Sequence, residues 1–294
     1  MEAESLNDRA MSLLAKGEFD AAQELFYLNK RQNPCRQTYN NLGSFLYDNG
    51  MRLRNGKEVS AVALGKRYVQ KAWECGQDAV VACNLGRIFY EEQDFHAAYR
   101  YFSLTCTEVP GDQILYNQAV SLFGLREYGQ SYSCLKKIKV PFPEAIPPLL
   151  FSMAFSDRNN MTRCLRNGEY REQIGQMDPI QQMAFYYLCG QDRRAIETEK
   201  IMRPEWSLNG DEWAIWIDSL IRAGKAEELP QALSRVTEGY APAYEKRLCR
   251  TIRFFCRNEA GRKEAIKRYF NTLCFPQIEP CGYYGCKAHR MPWQ

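Results

Sequence analysis

Four residues near the end of the chain, Cys274, Cys281, Cys286 and His289, are of the types that hold zinc: three thiolates and one imidazole complete a tetrahedral site. Their spacings of seven, five and three residues match no recognised finger pattern, so zinc stands as a candidate and no cofactor is expected. The same strip, CFPQIEPCGYYGCKAHRMPWQ, also reads as a Gly-, Tyr- and Pro-containing cap folded back over the last helix, with Trp293 as its anchor. Catalysis finds less to work with. Only two histidines occur, His96 and His289, and there is no phosphate loop, no Gly-x-Ser-x-Gly and no paired-histidine metal motif. We therefore expect no enzymatic activity and no catalytic residues.

A different chemistry lies in three asparagines. Asn41, Asn84 and Asn117 each stand two residues before a small residue, Gly43, Gly86 or Ala119. A primary amide carries donor and acceptor together, so it pairs with a peptide group whatever that peptide's sequence. The elements that position these amides follow from a repeat. Ala10, Gly43, Gly86 and Ala119 sit in apolar helical stretches separated by 33, 43 and 33 residues. After three of them the same phrase recurs, as KGEFDAAQELF, EQDFHAAYRYF and LREYGQSYSCL. An aromatic (Phe19, Phe95, Tyr128) is followed three residues on by a small residue (Ala22, Ala98, Ser131) and four beyond that by an apolar one (Phe26, Phe102, Leu135). Residues three and four apart share one helical face, so the phrase is an amphipathic helix whose small residue lets a neighbour approach. A proline, Pro34, Pro110 or Pro143, then ends each unit.

The pattern closely resembles the tetratricopeptide repeat, whose first helix carries an apolar-then-small pair, here Leu42-Gly43 and Leu85-Gly86. The likeness is clearest over residues 3–143. The second unit departs from it, being about ten residues too long between its helices; longer helices are expected there rather than a loop at Met51 to Lys57. Past Pro143 the phrase blurs while the period persists, and Pro141, Pro143, Pro147 and Pro148 exclude continuous helix across VPFPEAIPPLL. The resemblance implies an all-α, right-handed α-α superhelix of about eight helical hairpins. We expect a repeat array over 1–143, degenerate helical repeats over 144–273 and a capping tail over 274–294.

In that family an asparagine at this place points into the groove, so the resemblance implies that Asn41, Asn84 and Asn117 grip the backbone of an extended peptide. The competing role is to bond the adjacent repeat and fix its stacking. Their neighbours on the same face are Asn40, Ser44 and Tyr47, then Cys83, Arg87 and Tyr90, then Tyr116, Val120 and Phe123. The family's carboxylate clamp needs Lys or Arg at several of these positions, and only Arg87 qualifies; an aromatic-rich internal peptide of a partner protein is expected instead. The recognition so read requires an open wall of stacked hairpins: a globular bundle, or those three amides turned outward or plugged by the chain's own tail, would overturn it.

Charge supplies the alternative partner. From Ala241 to Gln294 the net charge is +7 against +4 for the whole chain, which would attract nucleic acid or an acidic protein. The helical spacing of Lys246, Arg250, Arg253 and Arg257 also fits a solvated face. Trp213 and Trp216, three apart, read as core filling, with Trp206 nearby. No run approaches the ~18 apolar residues of a membrane span, and MEAESLNDRA lacks a secretory signal. Six of the twelve cysteines, Cys83, Cys106, Cys134, Cys189, Cys249 and Cys256, sit in apolar helical patterns, so a cytoplasmic scaffold or adaptor is expected.

Overall fold

The computed structural model describes residues 5–50, 58–140, 142–198, 208–228, 242–278 and 281–286. Eight helices come first: α1 Leu6–Ala15, α2 Phe19–Gln32, α3 Arg36–Asn49, α4 Glu58–Cys75, α5 Ala79–Glu91, α6 Phe95–Glu108, α7 Asp112–Gly124 and α8 Tyr128–Leu135. They pack as four hairpins in which each helix meets its chain neighbour. The turn that makes a hairpin is written into the recurring phrase. Gly17, Gln93 and Arg126 have φ of +77°, +62° and +65°, and each lies two residues before the aromatic that opens the second helix. The left-handed residue ends one helix and redirects the chain into the next. Ser5, Asp78 and Asp94 cap α1, α5 and α6 with side-chain oxygens that accept main-chain N–H groups otherwise without partners.

A non-glycine residue in the left-handed region costs ~1–2 kcal/mol per residue. We expect Gln93→Gly and Arg126→Gly each to raise stability by ~0.5–1 kcal/mol and Gly17→Ala to lower it by a similar amount, measured by urea denaturation.

Small residues set the spacing within each hairpin. A Cβ on Gly43 would lie 2.7 Å from the Val69 nitrogen and 2.9 Å from the Gly65 oxygen; one on Gly65 would lie 2.6 Å from the Tyr47 nitrogen. Helices α3 and α4 thus touch backbone to backbone. A Cβ on Gly86 would meet the Phe102 ring at 2.8 Å. The core between them is apolar, with Phe26 and Phe45 rings 5.2 Å apart. Cys83 lies inside it, where burial pushes its thiol up to about 12, so it behaves as a small hydrophobe. All twelve cysteines are free thiols. The long second unit acquires its extra length partly in α4, at 18 residues; Met51 to Lys57 lie outside the described residues.

A second set follows: a 3₁₀ turn Pro143–Ala145, then α9 Ile146–Ser156, α10 Arg158–Arg166, α11 Arg171–Gln176, α12 Pro179–Leu188, α13 Asp192–Glu197, α14 Gly210–Arg222, a 3₁₀ turn Ala226–Glu228, α15 Pro242–Arg257 and α16 Glu259–Thr272. No continuous helix runs across the described part of the four-proline stretch: a 3₁₀ turn precedes α9, which begins at Ile146 and takes Pro147 and Pro148 into its first turn, where main-chain N–H groups have no intrahelical partner to lose. The turn signature also survives here: Gly190 (φ +70°) and Gly224 (φ +71°) stand two residues before Asp192 and Ala226. Trp213 and Trp216 are buried edge to face, 5.5 Å apart at 89°; Trp206 lies outside the described residues. Beside them Asp218 and Arg262, 8% and 5% exposed, form an ion pair at 2.7 Å.

The chain divides into two compact units, one of Met1–Val140 with Pro276–Gln294 and one of Pro141–Phe275. Among the described residues there is no strand, and no helix is long and apolar enough to cross a membrane. Where the sequence suggests a strip over the last helix, the described residues 276–278 and 281–286 group with the first unit; Trp293 lies outside the described residues.

Candidate functional site

The first helices of the four hairpins, α1, α3, α5 and α7, are crossed by the chain's own C-terminal strip. The Tyr116 hydroxyl on α7 donates to the Pro276 carbonyl. Further along the strip, the Gly282 carbonyl accepts from the Asn40 amide on α3 at 2.6 Å and the Asn84 amide on α5 at 2.9 Å. At Tyr284 the main chain is held through both its polar groups: its N–H donates to Asn41 Oδ1 at 2.9 Å, and its carbonyl accepts from Asn41 Nδ2 at 3.0 Å. Asn7 on α1 donates to that same carbonyl at 2.9 Å. One amide thus satisfies one residue's donor and acceptor together, the use for which a primary amide is suited. Each bond contributes ~0.5–1.5 kcal/mol net, so the set holds the strip with a few kcal/mol.

The amides also bond one another. Asn84 Nδ2 lies 2.8 Å from Asn40 Oδ1 and 2.9 Å from Ser44 Oγ, and Asn41 Nδ2 lies 2.7 Å from Asn7 Oδ1. The same side chains thus bond both the strip and the neighbouring repeat. Asn117 is placed differently. It is 0% exposed, and neither polar atom of its side chain has a hydrogen-bond partner among the described residues. Two of the three amides meet the strip and the third does not.

The strip's side chains are seated individually. The Tyr283 ring stacks near Phe26, centroids 6.3 Å apart, and its hydroxyl donates to Asp48 at 3.2 Å. Tyr284 packs against the cluster of Val69, Ala72 and Leu85, and its hydroxyl donates to Asp78. Each carboxylate already has a guanidinium: Arg87 to Asp48 at 2.6 Å and Arg36 to Asp78 at 3.1 Å. Burial, then the Asp48 charge, pushes the Tyr283 phenol well above its ordinary range, against the pull of Arg87; burial and the bond to Asp78 do the same for Tyr284. Both phenols therefore keep the proton they donate. Arg87 is buried against Asp48 with the Tyr47 ring 5.7 Å away, so it is not presented as a clamp for a free carboxylate. Tyr90 and Phe123 pack on Phe95 and Tyr128, the opening aromatics of α6 and α8.

Asn7, Asp48, Asp78 and Phe26 were not among the expected groove residues. Asn7 was legible, because it lies one period of 34 residues before Asn41. The two aspartates carry no such signal.

The remaining candidates separate. Cys281 and Cys286 are hydrogen-bonded neighbours in the strip, whereas Cys274 is exposed in the other unit and His289 lies outside the described residues. Among the described residues no group of three metal-ligating side chains comes together, so the zinc set is not assembled there. His96 is exposed on α6. Of the basic residues near the end, Arg262, Lys263 and Arg268 pair with Asp218, Glu259 and Asp211. Lys246, Arg250, Arg253 and Arg257 are exposed on α15. Tyr269 and Phe270 are not open platforms for bases; the Phe270 ring sits 5.8 Å from Phe155 and 6.2 Å from Tyr187.

No known family model matches the chain, and neither does any curated protein. Solved structures do resemble it. A tetratricopeptide repeat protein from Parabacteroides merdae superposes with a TM-score of 0.56 at 13% identity, covering 86% of this chain and 98% of that one. Pseudomonas aeruginosa pilF aligns at 0.45 and 12% identity over 83% and 95% of the two chains, and the P58(IPK) TPR domain at 0.32 and 12% over 90% and 79%. The first of these carries the fold: this chain has the all-α, tetratricopeptide-like arrangement of helical hairpins.

Proposed function

We propose, from the premise of a tetratricopeptide-like solenoid, that the chain is a protein-interaction scaffold whose peptide groove is held by its own C-terminal segment until a segment of a partner protein takes its place. The observation that carries this reading is the pair of hydrogen bonds between the Asn41 amide and the Tyr284 main chain. The groove is not open, as the sequence reading required; it already holds an extended segment, and holds it through the main chain. What such a groove grips in cis it grips in trans by the same groups, since the amides do not sense how the segment is connected. Nothing in this reading calls for a catalytic step. The second partner class, nucleic acid or an acidic protein, rests on the exposed cations of α15 alone, and a steep loss of binding between low and moderate salt would identify it.

The test displaces the tail. A Cβ at position 282 would lie 1.8 Å from Asn84 Oδ1, so Gly282→Val unseats the strip. That variant is expected to bind a labelled peptide of residues 276–286 saturably, by fluorescence anisotropy. Adding Asn41→Ala should weaken the peptide ~10-fold or more, since two bonds of ~0.5–1.5 kcal/mol are lost, with only a small fall in melting temperature for the lost bond to Asn7. Absence of peptide binding by the unseated chain, or a large fall in melting temperature at unchanged affinity, would make the asparagines purely structural.

A further inference from the structure

We infer that the groove of the first unit is selective for a Gly-Tyr-Tyr-Gly segment whose tyrosine hydroxyls are unmodified, and that the partner displacing the tail presents such a segment; this rests on the scaffold reading above. Each of the four positions is read by a different physical constraint.

The first glycine is required by space. Any Cβ at position 282 would overlap the Asn84 amide at 1.8 Å. The backbone retreats only at a cost, because the same residue's carbonyl is bonded to Asn40 and Asn84, both buried, and each would lose that bond. The two tyrosines are required by the carboxylates at the ends of their pockets. Phe26 offers the first ring a stacking partner and Asp48 accepts its proton; Asp78 accepts the proton of the second. A phenylalanine would fill the ring space and leave both acceptors short of a donor.

A phosphate at either hydroxyl has the opposite fault. It brings ~1.5–2 negative charges to face a carboxylate, and Arg87 and Arg36 are already committed to Asp48 and Asp78. The last glycine is required by the turn, for Gly285 has φ +77° and a Cβ there would lie 2.8 Å from Asn7 Nδ2. The tethered tail competes at an effective concentration of order millimolar. A loosely matched partner does not displace it, whereas a matched one does once the tail is weakened, for which phosphorylation of Tyr283 or Tyr284 is a direct chemical route.

The experiment titrates the Gly282→Val chain, in reducing buffer, with four capped six-residue peptides. One carries the sequence of residues 281–286; the others replace its first glycine by alanine, both tyrosines by phenylalanine, or both tyrosines by phosphotyrosine. The parent is expected to bind tightest, the phenylalanine peptide about tenfold more weakly for two lost hydroxyl bonds. The alanine and phosphotyrosine peptides should not bind at concentrations that saturate the parent. Equal or tighter binding of either of those two overturns the selectivity and leaves the scaffold reading standing. No binding by any peptide overturns both. If Gly282→Val does not fold, as judged by circular dichroism, the double variant Tyr283→Phe/Tyr284→Phe loosens the tail without added bulk and takes the same panel at higher peptide concentrations, with the same order of affinities expected against the still-competing tail. Dimerisation of a loosened chain without peptide uptake, seen by sedimentation, would make a second copy the occupant and overturn the proposal.

Discussion

Asp218→Ala is expected to destabilise the second unit by ~3–5 kcal/mol, the cost of leaving a buried charge without its counter-ion. Arg262 bonds Asp218 at 2.7 Å and the Phe255 carbonyl at 2.6 Å, tying α14 to α15 and α16. The Tyr187 hydroxyl donates to the other Asp218 oxygen at 2.9 Å, and burial together with that carboxylate pushes the phenol up to about 12. Removing the carboxylate leaves a guanidinium 5% exposed and a phenol without its acceptor. The paired replacement Asp218→Leu/Arg262→Met removes both charges and should recover most of the loss, since apolar substitutes for a buried pair are often neutral. Urea unfolding of the two variants checks this; equal losses in both would mean that packing, not charge, holds the three helices.

Gly65→Ala is the second large effect, placed in the first unit. Alanine gains ~1 kcal/mol in helix propensity over glycine at an exposed position. Here that gain is overridden. The new methyl would lie 2.6 Å from the Tyr47 nitrogen and 2.7 Å from the Gly43 oxygen, both main-chain atoms that move only if α3 and α4 part. Overpacking of this kind costs ~1–3 kcal/mol, and the groove is affected with it, because Asn40 and Asn41 lie on α3. We expect a net loss of ~2 kcal/mol in thermal denaturation together with weaker holding of the tail, read as faster hydrogen exchange at the Tyr284 amide. Unchanged exchange at that amide would separate the spacing of these two helices from the geometry of the groove.

The hairpins themselves were legible residue by residue. Phe19, Phe95 and Tyr128 open second helices, and Ala22, Ala98 and Ser131 are buried, because three- and four-residue spacings decide which side of a helix faces a neighbour before any long-range contact forms. The left-handed turn two residues earlier was visible only at Gly17; at Gln93 and Arg126 side-chain type gives no warning of positive φ. The break at the prolines was legible too, though not that Pro147 and Pro148 open the next helix, since a proline's effect depends on which turn of the helix it occupies.

The recurrence of Asn41 and Asn84 on the first helices, with Asn7 one period earlier, followed from local periodicity alone, and so did the all-α hairpin plan. What occupied them did not. Tyr284 is 243 residues from Asn41 and bonds it through main-chain atoms that every residue possesses, so no side-chain pattern announces the pairing. Nor does spacing foretell that Asp48 and Asp78 meet the ends of two tyrosines more than 200 residues away, or that Arg262 is buried on Asp218 rather than solvated with the other cations. Periodicity reports which face of a helix is covered. Only the folded chain decides by what, because that depends on where distant segments return in space.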